Sequence, residues 1–201
     1  MSFPSYYIDL LRHGQPEGGD RFRGMQDDPL NDNGWQQMRA SVAGMAPWEV
    51  VVTSPLRRCA EFAAELAERH GLPLETEPRL AEMAFGEWEG KSYDELKASN
   101  PAAVQAFFAN PVHNIPPGGE PLQDFCERVN AAWDALVERH QGRHLLVVCH
   151  GAVMRVIYRR ILNTPLDALF RIEVPYACLT RIRRHPEGDQ LVFHRGPEHG
   201  L

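Results

Sequence analysis

Apolar positions along the chain switch between a strand period and a helix period, and the switches predict strand–helix units. A run of aromatic and large aliphatic residues from Tyr6 to Leu11 predicts a short buried strand. A polar, glycine-rich stretch over residues 15–33 follows, long enough to read as a functional loop rather than a tight connection. Asn31 is placed to cap a helix starting near Asp32, with Trp35, Met38, Val42 and Met45 on one face and Pro47 as its stop. Glu49 to Thr53, β-branched through Val50, Val51 and Val52, predicts the next strand. Ser54 then reads as an N-cap and Pro55 as the first helical residue. That helix turns Leu56, Cys59, Phe62, Ala63, Leu66 and Ala67 inward and closes at Gly71. Two such units in succession predict an α/β protein with a parallel sheet.

Residues 72–121 are less regular. Extended pieces surround Leu74 and Leu80, Ser92 caps a short helix, Pro101 starts another, and Pro111, Pro116, Pro117, Gly118 and Gly119 break the pattern. The segment is expected to be a helical and loop excursion over one sheet edge, too small for a core of its own. A long amphipathic helix follows from Pro121 to His140, carrying Leu122, Phe125, Cys126, Val129, Ala132, Trp133 and Leu136 at helical spacing. His144 to Cys149 holds no polar residue between its ends and predicts a fully buried strand, followed by a helix over residues 152–162. Residues 170–193 predict two or three strands with a turn at Pro186–Gly188, and residues 195–201 a frayed end. The whole, residues 1–201, is expected to be one domain.

Composition narrows the possibilities without deciding among them. A chain of 201 residues with 43% hydrophobic and 24% charged content buries a core without metals or disulfides. Its net charge of −6 argues against non-specific binding to nucleic acid or to anionic membrane. Every basic residue other than Lys91 and Lys97 is arginine, most simply a compositional bias. The four cysteines lie far apart with no zinc-like spacing, which fits a reducing, cytoplasmic setting. No basic segment precedes a long apolar run near Met1, and no stretch approaches the roughly 18 apolar residues of a membrane span.

The chemistry gathers at strand ends. Arg12-His13-Gly14 and His150-Gly151 each end a predicted strand, and ligands of open parallel sheets bind beyond such ends. If the two strands are adjacent and parallel, His13 and His150 face each other. Arg12 supplies a planar fork of donors, Gly14 lets the backbone turn and a ligand approach, and the helix after His150 offers free N–H groups to an anion. The strand ending at Thr53 delivers Arg57 and Arg58 to the same edge. Histidines, arginines and a helix N-terminus together describe a phosphoryl site. No Walker-type loop or paired-acid magnesium motif accompanies them, so no metal and no cofactor is expected.

These segments, with Ser54–Arg58, Leu80–Gly90 and Leu30–Gln37, resemble the histidine phosphatase superfamily, which includes the phosphoglycerate mutases, over nearly the whole chain. The resemblance implies a three-layer α/β/α sandwich with a mostly parallel sheet. It implies that His13 is phosphorylated, that Arg12, Arg58 and His150 hold the phosphoryl oxygens with the Gly151 backbone, and that Glu82 gives a proton to the leaving oxygen. The spacing after Ser54 in the family pattern selects Arg58 over Arg57. Where that pattern has an acid, Thr and Asn soon after the first glycine, this chain has Gln15, Pro16 and Gly19, so Arg21, Arg23 or Gly24 is expected to replace a phosphate contact. Residues 82–89 and 114–129 are similar to α-ribazole phosphatases of the cobalamin pathway, with Gly118-Gly119-Glu120 at the rim of the pocket. The implied activity is hydrolysis of α-ribazole 5′-phosphate. A broad small-molecule phosphatase, a phosphoglycerate mutase and a non-catalytic phosphate binder stand as the alternatives.

Overall fold

A computed structural model describes residues 5–197. Six strands form one mixed sheet in the order β3-β2-β4-β1-β5-β6. They are β1 (Tyr6–Arg12), β2 (Val50–Thr53), β3 (Leu74–Thr76), β4 (Leu145–Cys149), β5 (Leu179–Arg184) and β6 (Gln190–Arg195). β1, β2, β3 and β4 run parallel, whereas β5 is antiparallel to β1 and β6 to β5. β2 and β4 are buried along their whole length, as strands covered on both faces must be.

Helices cover both faces, giving the α/β/α sandwich. Ile8, Leu10, Val147 and Cys149 point into one core with α5 (Leu122–Arg139) and α6 (Gly151–Leu162). Leu11, Val51, Leu146 and Val148 point into the other with α1 (Asp32–Ser41) and α2 (Arg57–His70). The alternation along β1 and β4 thus feeds both cores. Gly71 ends α2 in the left-handed conformation at φ 64°. Ser92 and Glu95 form a reciprocal capping box at the start of α3 (Tyr93–Ser99), and Asn100 caps α4 (Pro101–Ala109) with Pro101 in its first turn.

Four expectations are corrected. α1 stops at Ser41, so Met45 lies beyond it. α2 begins at Arg57 with Leu56 at the N-cap position, while the Ser54 hydroxyl accepts from Leu56 N–H at 3.3 Å and lies 2.7 Å from His150 Nε2. Leu74–Thr76 pairs with β2 as the sheet edge, so the excursion over the sheet starts only after it. Phe170 lies in a 3₁₀ turn (Leu166–Arg171) rather than a strand. The expected fraying concerns residues 198–201, which lie outside the described residues, together with Arg195, which is still paired in β6, and residues 196–197.

β5 lies inside the sheet and carries Arg181 to the centre of β1. Its guanidinium makes two 2.8 Å bonds to Asp9, a fully buried carboxylate in the middle of β1. Trp48 Nε1 donates to the same group at 2.8 Å and His144 Nε2 lies 3.1 Å away. Burial alone would raise the Asp9 carboxyl, but the bonds from Arg181, His144 and Trp48 outweigh it and hold it below its ordinary value. Asp9→Ala strands these partners. We expect a loss of about 3 kcal/mol in urea unfolding, the low end for a broken buried pair because Arg181 reaches solvent. A loss under about 1 kcal/mol would contradict this account of the sheet centre.

Candidate active site

β1 and β4 pair in register, Leu11 with Val148 and Arg12 with Cys149, so both histidines leave the sheet at the same height. The backbone around them is fixed by long-range bonds. His13 N–H donates to Cys149 O, Arg12 N–H to Cys178 O and Ala177 N–H to His13 O, each at 3.0 Å. The His13 and His150 rings meet edge to face at 5.2 Å. His13 lines a cleft of about 300 Å³ with Arg12, Glu82, Gly151 and Arg155, whereas His150 is fully buried and not part of its lining.

His13 Nδ1 lies 2.8 Å from its neighbour's carbonyl, Gly14 O, which can only accept. Nδ1 therefore carries the proton and Nε2 the lone pair. Burial, and then the charges of Arg12 and Arg58, hold His13 well below its ordinary pKa. The same causes, burial first and Arg58 next, lower His150. His150 Nε2 lies 2.7 Å from Ser54 Oγ. Both rings are neutral at pH 7.

The cations are held without being used up. Arg12 donates through Nη1 to Val174 O and lies over the Tyr176 ring at 4.3 Å. Arg58 donates to Gln26 O at 2.7 Å and Gly24 O at 2.9 Å. The Nε–H of each is buried and bonds to no group among the described residues. Such donors are costly to leave unpaired unless an anion takes them. A Cβ on Gly151 would lie 3.3 Å from Arg12 Nε and 3.1 Å from Arg155 Nη1. That glycine makes room for two guanidinium groups at the start of α6.

Glu82 enters from the excursion. Its Oε2 accepts from Ala152 N–H at 3.2 Å, tying it to the first turn of α6, and its Oε1 accepts from Met83 N–H at 3.1 Å. The loop carrying it is clamped from α5. Arg128 donates to Arg79 O and Ala81 O at 2.8 Å, to Glu82 O at 3.0 Å, and to both oxygens of Glu120.

Arg12, His13, Arg58, Glu82, His150 and Gly151 thus come together. Other expectations fail on geometry. Arg23 lines the cleft, but its donors go to Asp28, Gly19 O and Glu17 O, so it fastens its own loop. Gly24 is not in the cleft wall; a Cβ there would strike Met83 O at 2.2 Å, so it serves close packing. Gly14 likewise makes way for Gly34 of α1, whose carbonyl a Cβ would meet at 2.2 Å, and not for a ligand. Gly118-Gly119-Glu120 packs on Gly86 and Arg128, away from the pocket rim. Arg57 pairs with Glu61 on the surface. Sequence reading missed Arg155 and Tyr176. The i to i+4 spacing of Arg155 from Gly151 on one helical face was the available signal for the first.

The model of the histidine phosphatase superfamily (branch 1) matches residues 8–195. Among curated proteins, bifunctional protein Rv2228c of Mycobacterium tuberculosis is 30% identical over 188 residues, 91% of this chain and 51% of that protein. The chain therefore spans about half the length of that relative. The adenosylcobalamin/alpha-ribazole phosphatase of Escherichia coli K12 is 28% identical over 178 residues, covering 86% of this chain and 87% of the other. The solved structure of mycobacterial glucosyl-3-phosphoglycerate phosphatase Rv2419c matches with a TM-score of 0.82 at 25% identity, covering 94% and 98% of the two chains.

Two buried histidines with depressed pKa values make stability depend on pH. Below about 6.5 the unfolded chain takes up protons that the native histidines refuse, so their contribution is complete above that pH and is lost as pH falls. Each histidine steepens the loss by up to about 1.4 kcal/mol per pH unit. His150→Gln should flatten the dependence of urea-unfolding free energy between about pH 6 and 5 by that amount. An unchanged slope would mean His150 is protonated in the folded protein.

Proposed function

The chain belongs to the histidine phosphatase superfamily, branch 1, and we propose that it hydrolyses phosphate monoesters through a phosphohistidine formed on His13. The observation that carries this reading is the tautomer of His13. With Nδ1 bonded to Gly14 O and two arginines beside it, the ring is neutral and Nε2 is free to attack. In the first step the Nε2–P bond forms, the P–O bond to the leaving alcohol breaks, and Glu82 gives that oxygen its proton. In the second, water attacks phosphorus, its proton passes to Glu82, and the Nε2–P bond breaks to release phosphate. Arg12 and Arg58 take up the charge on the equatorial oxygens, and His150 with the Gly151 N–H completes the cradle.

For the substrate we infer α-ribazole 5′-phosphate, supported by the motif at residues 82–89 and by the Escherichia coli relative. That would place the protein in nucleotide-loop assembly of cobalamin, a cytoplasmic setting in keeping with four free, buried cysteines. A phosphorylated hydroxy acid is the second reading. Arg155 favours it, a further cation beside Arg12 that can meet a carboxylate on the leaving group.

The test is rapid-quench detection of an acid-labile phosphate on His13, together with phosphate release from α-ribazole 5′-phosphate, glucosyl-3-phosphoglycerate and 3-phosphoglycerate. Preference for the first ester is expected; isomerisation of 3-phosphoglycerate without net hydrolysis would mark a mutase instead. His13→Ala should abolish both signals. Arg58→Ala should cost about 10²–10³ in kcat, as loss of one charge-stabilising donor does. Arg57→Ala should retain most activity, and equal losses at Arg57 and Arg58 would overturn the assignment of Arg58.

A further inference from the structure

We propose that the outer half of the cleft is a leaving-group subsite for a planar aromatic group, with Tyr93 and Phe108 as its platform. The proposal rests on the phosphatase reading and specifies the class of ester.

Tyr93 opens α3 and Phe108 lies in the last turn of α4, their ring centroids 6.0 Å apart at 61°. Both line the cleft that ends at Arg12, His13 and Glu82. They are nonetheless 46% and 47% exposed, a large apolar area to leave in water. Behind these two rings Phe85, Trp88 and Phe107 are buried and Phe170 is partly buried. Phe108 rests edge-on against Phe107 at 5.2 Å, and Phe107 is packed on Trp88 at 5.3 Å, Phe85 at 6.4 Å and Phe170 at 5.3 Å. Phe170 in turn stands 5.7 Å from the Arg155 guanidinium. An aromatic wall therefore runs unbroken from the cationic end to the mouth. An ester bound by its phosphate at His13 has its leaving group directed along that wall.

The outer half offers a polyol few free donors. Arg21 on the same side is committed to Gly18 O, Gly90 O and Glu95, and Lys97 lies 5.7 Å over the Tyr93 ring. A sugar seated there would give up hydration for few donors. A planar ring would stack in offset or edge-to-face geometry on side chains already fixed by packing, at little entropic cost.

The test compares kcat/KM for 2-naphthylmethyl phosphate and glycerol 2-phosphate, both alkyl esters, in the wild type, Tyr93→Ala, Phe108→Ala and Phe108→Leu. The naphthylmethyl-to-glycerol ratio should fall about ten-fold in each alanine variant, the usual scale of one lost aromatic stack. Phe108→Leu, which keeps apolar bulk but not the plane, should give a smaller but clear fall. Val192→Ala, on exposed β6, is the control. An unchanged ratio in both alanine variants overturns the subsite. So does a concentration-dependent dimer that dissociates in these variants with the ratio unchanged, since the rings would then cover a second copy of the chain. Failure of the wild type to release phosphate from these two esters and from the three named under the proposed function would refute the phosphatase reading instead. Titration of the non-hydrolysable 2-naphthylmethylphosphonate by naphthalene fluorescence then still decides the platform, because weaker binding to the alanine variants supports it and equal binding overturns it.

Discussion

Everything at the site depends on the register between β1 and β4. Each strand ends in a histidine followed by glycine, and pairing Arg12 with Cys149 sets the two imidazoles side by side beyond the sheet. A slip of one residue would exchange the faces of one strand against the other, sending Leu10 or Val147 to the wrong core and that strand's histidine out of place. The pattern that makes these strands bury correctly is thus the pattern that aligns the chemistry. The register is fixed over a whole strand of apolar contacts, which is firmer than any single bond between the histidines could be.

That alignment carries an electrostatic cost. Arg12 and Arg58 each bury an Nε–H with no partner among the described residues, and both histidines are held neutral by burial and by those same cations. Such an arrangement subtracts from stability and favours an anion that binds it. The opposite balance holds in the middle of β1, where Asp9 is buried with Arg181, Trp48 and His144 all bonded to it. One strand therefore carries a satisfied charge at its centre and an unsatisfied one at its end. The first supports the sheet and the second serves the ligand.

Much of this was legible in the sequence, for identifiable reasons. β2 and β4 are covered on both faces and so read as continuous apolar runs, and Asn31, Gly71 and Ser92 announce their helix ends by local chemistry. His13, His150, Arg12 and Arg58 sit in short motifs at strand ends or helix starts, where topology delivers them without knowledge of the loops. What was hidden depends on distant partners. Ser54 before Pro55 is a good local N-cap, yet the helix starts at Arg57 and the Ser54 hydroxyl is shared between Leu56 N–H and a histidine 96 positions later. The pairing of Arg181 with Asp9 was hidden because nothing local reveals that β5 is interior. Arg23, Gly24 and Glu120 lie in segments rich in polar residues and glycine, where the sequence marks a loop but not which of its groups face inward.

Gly14 and Gly34 have a consequence beyond their own contact. Their backbones approach so closely that a Cβ on either would overlap the other segment, and Asn31 N–H also bonds to Gln15 O while Pro16 bridges to Leu30. The loop after β1 and the first turn of α1 therefore behave as a single cassette that must be inherited or transplanted whole. Exchange of one half between relatives, even with every ligand-facing residue retained, would move His13 by forcing two main chains apart.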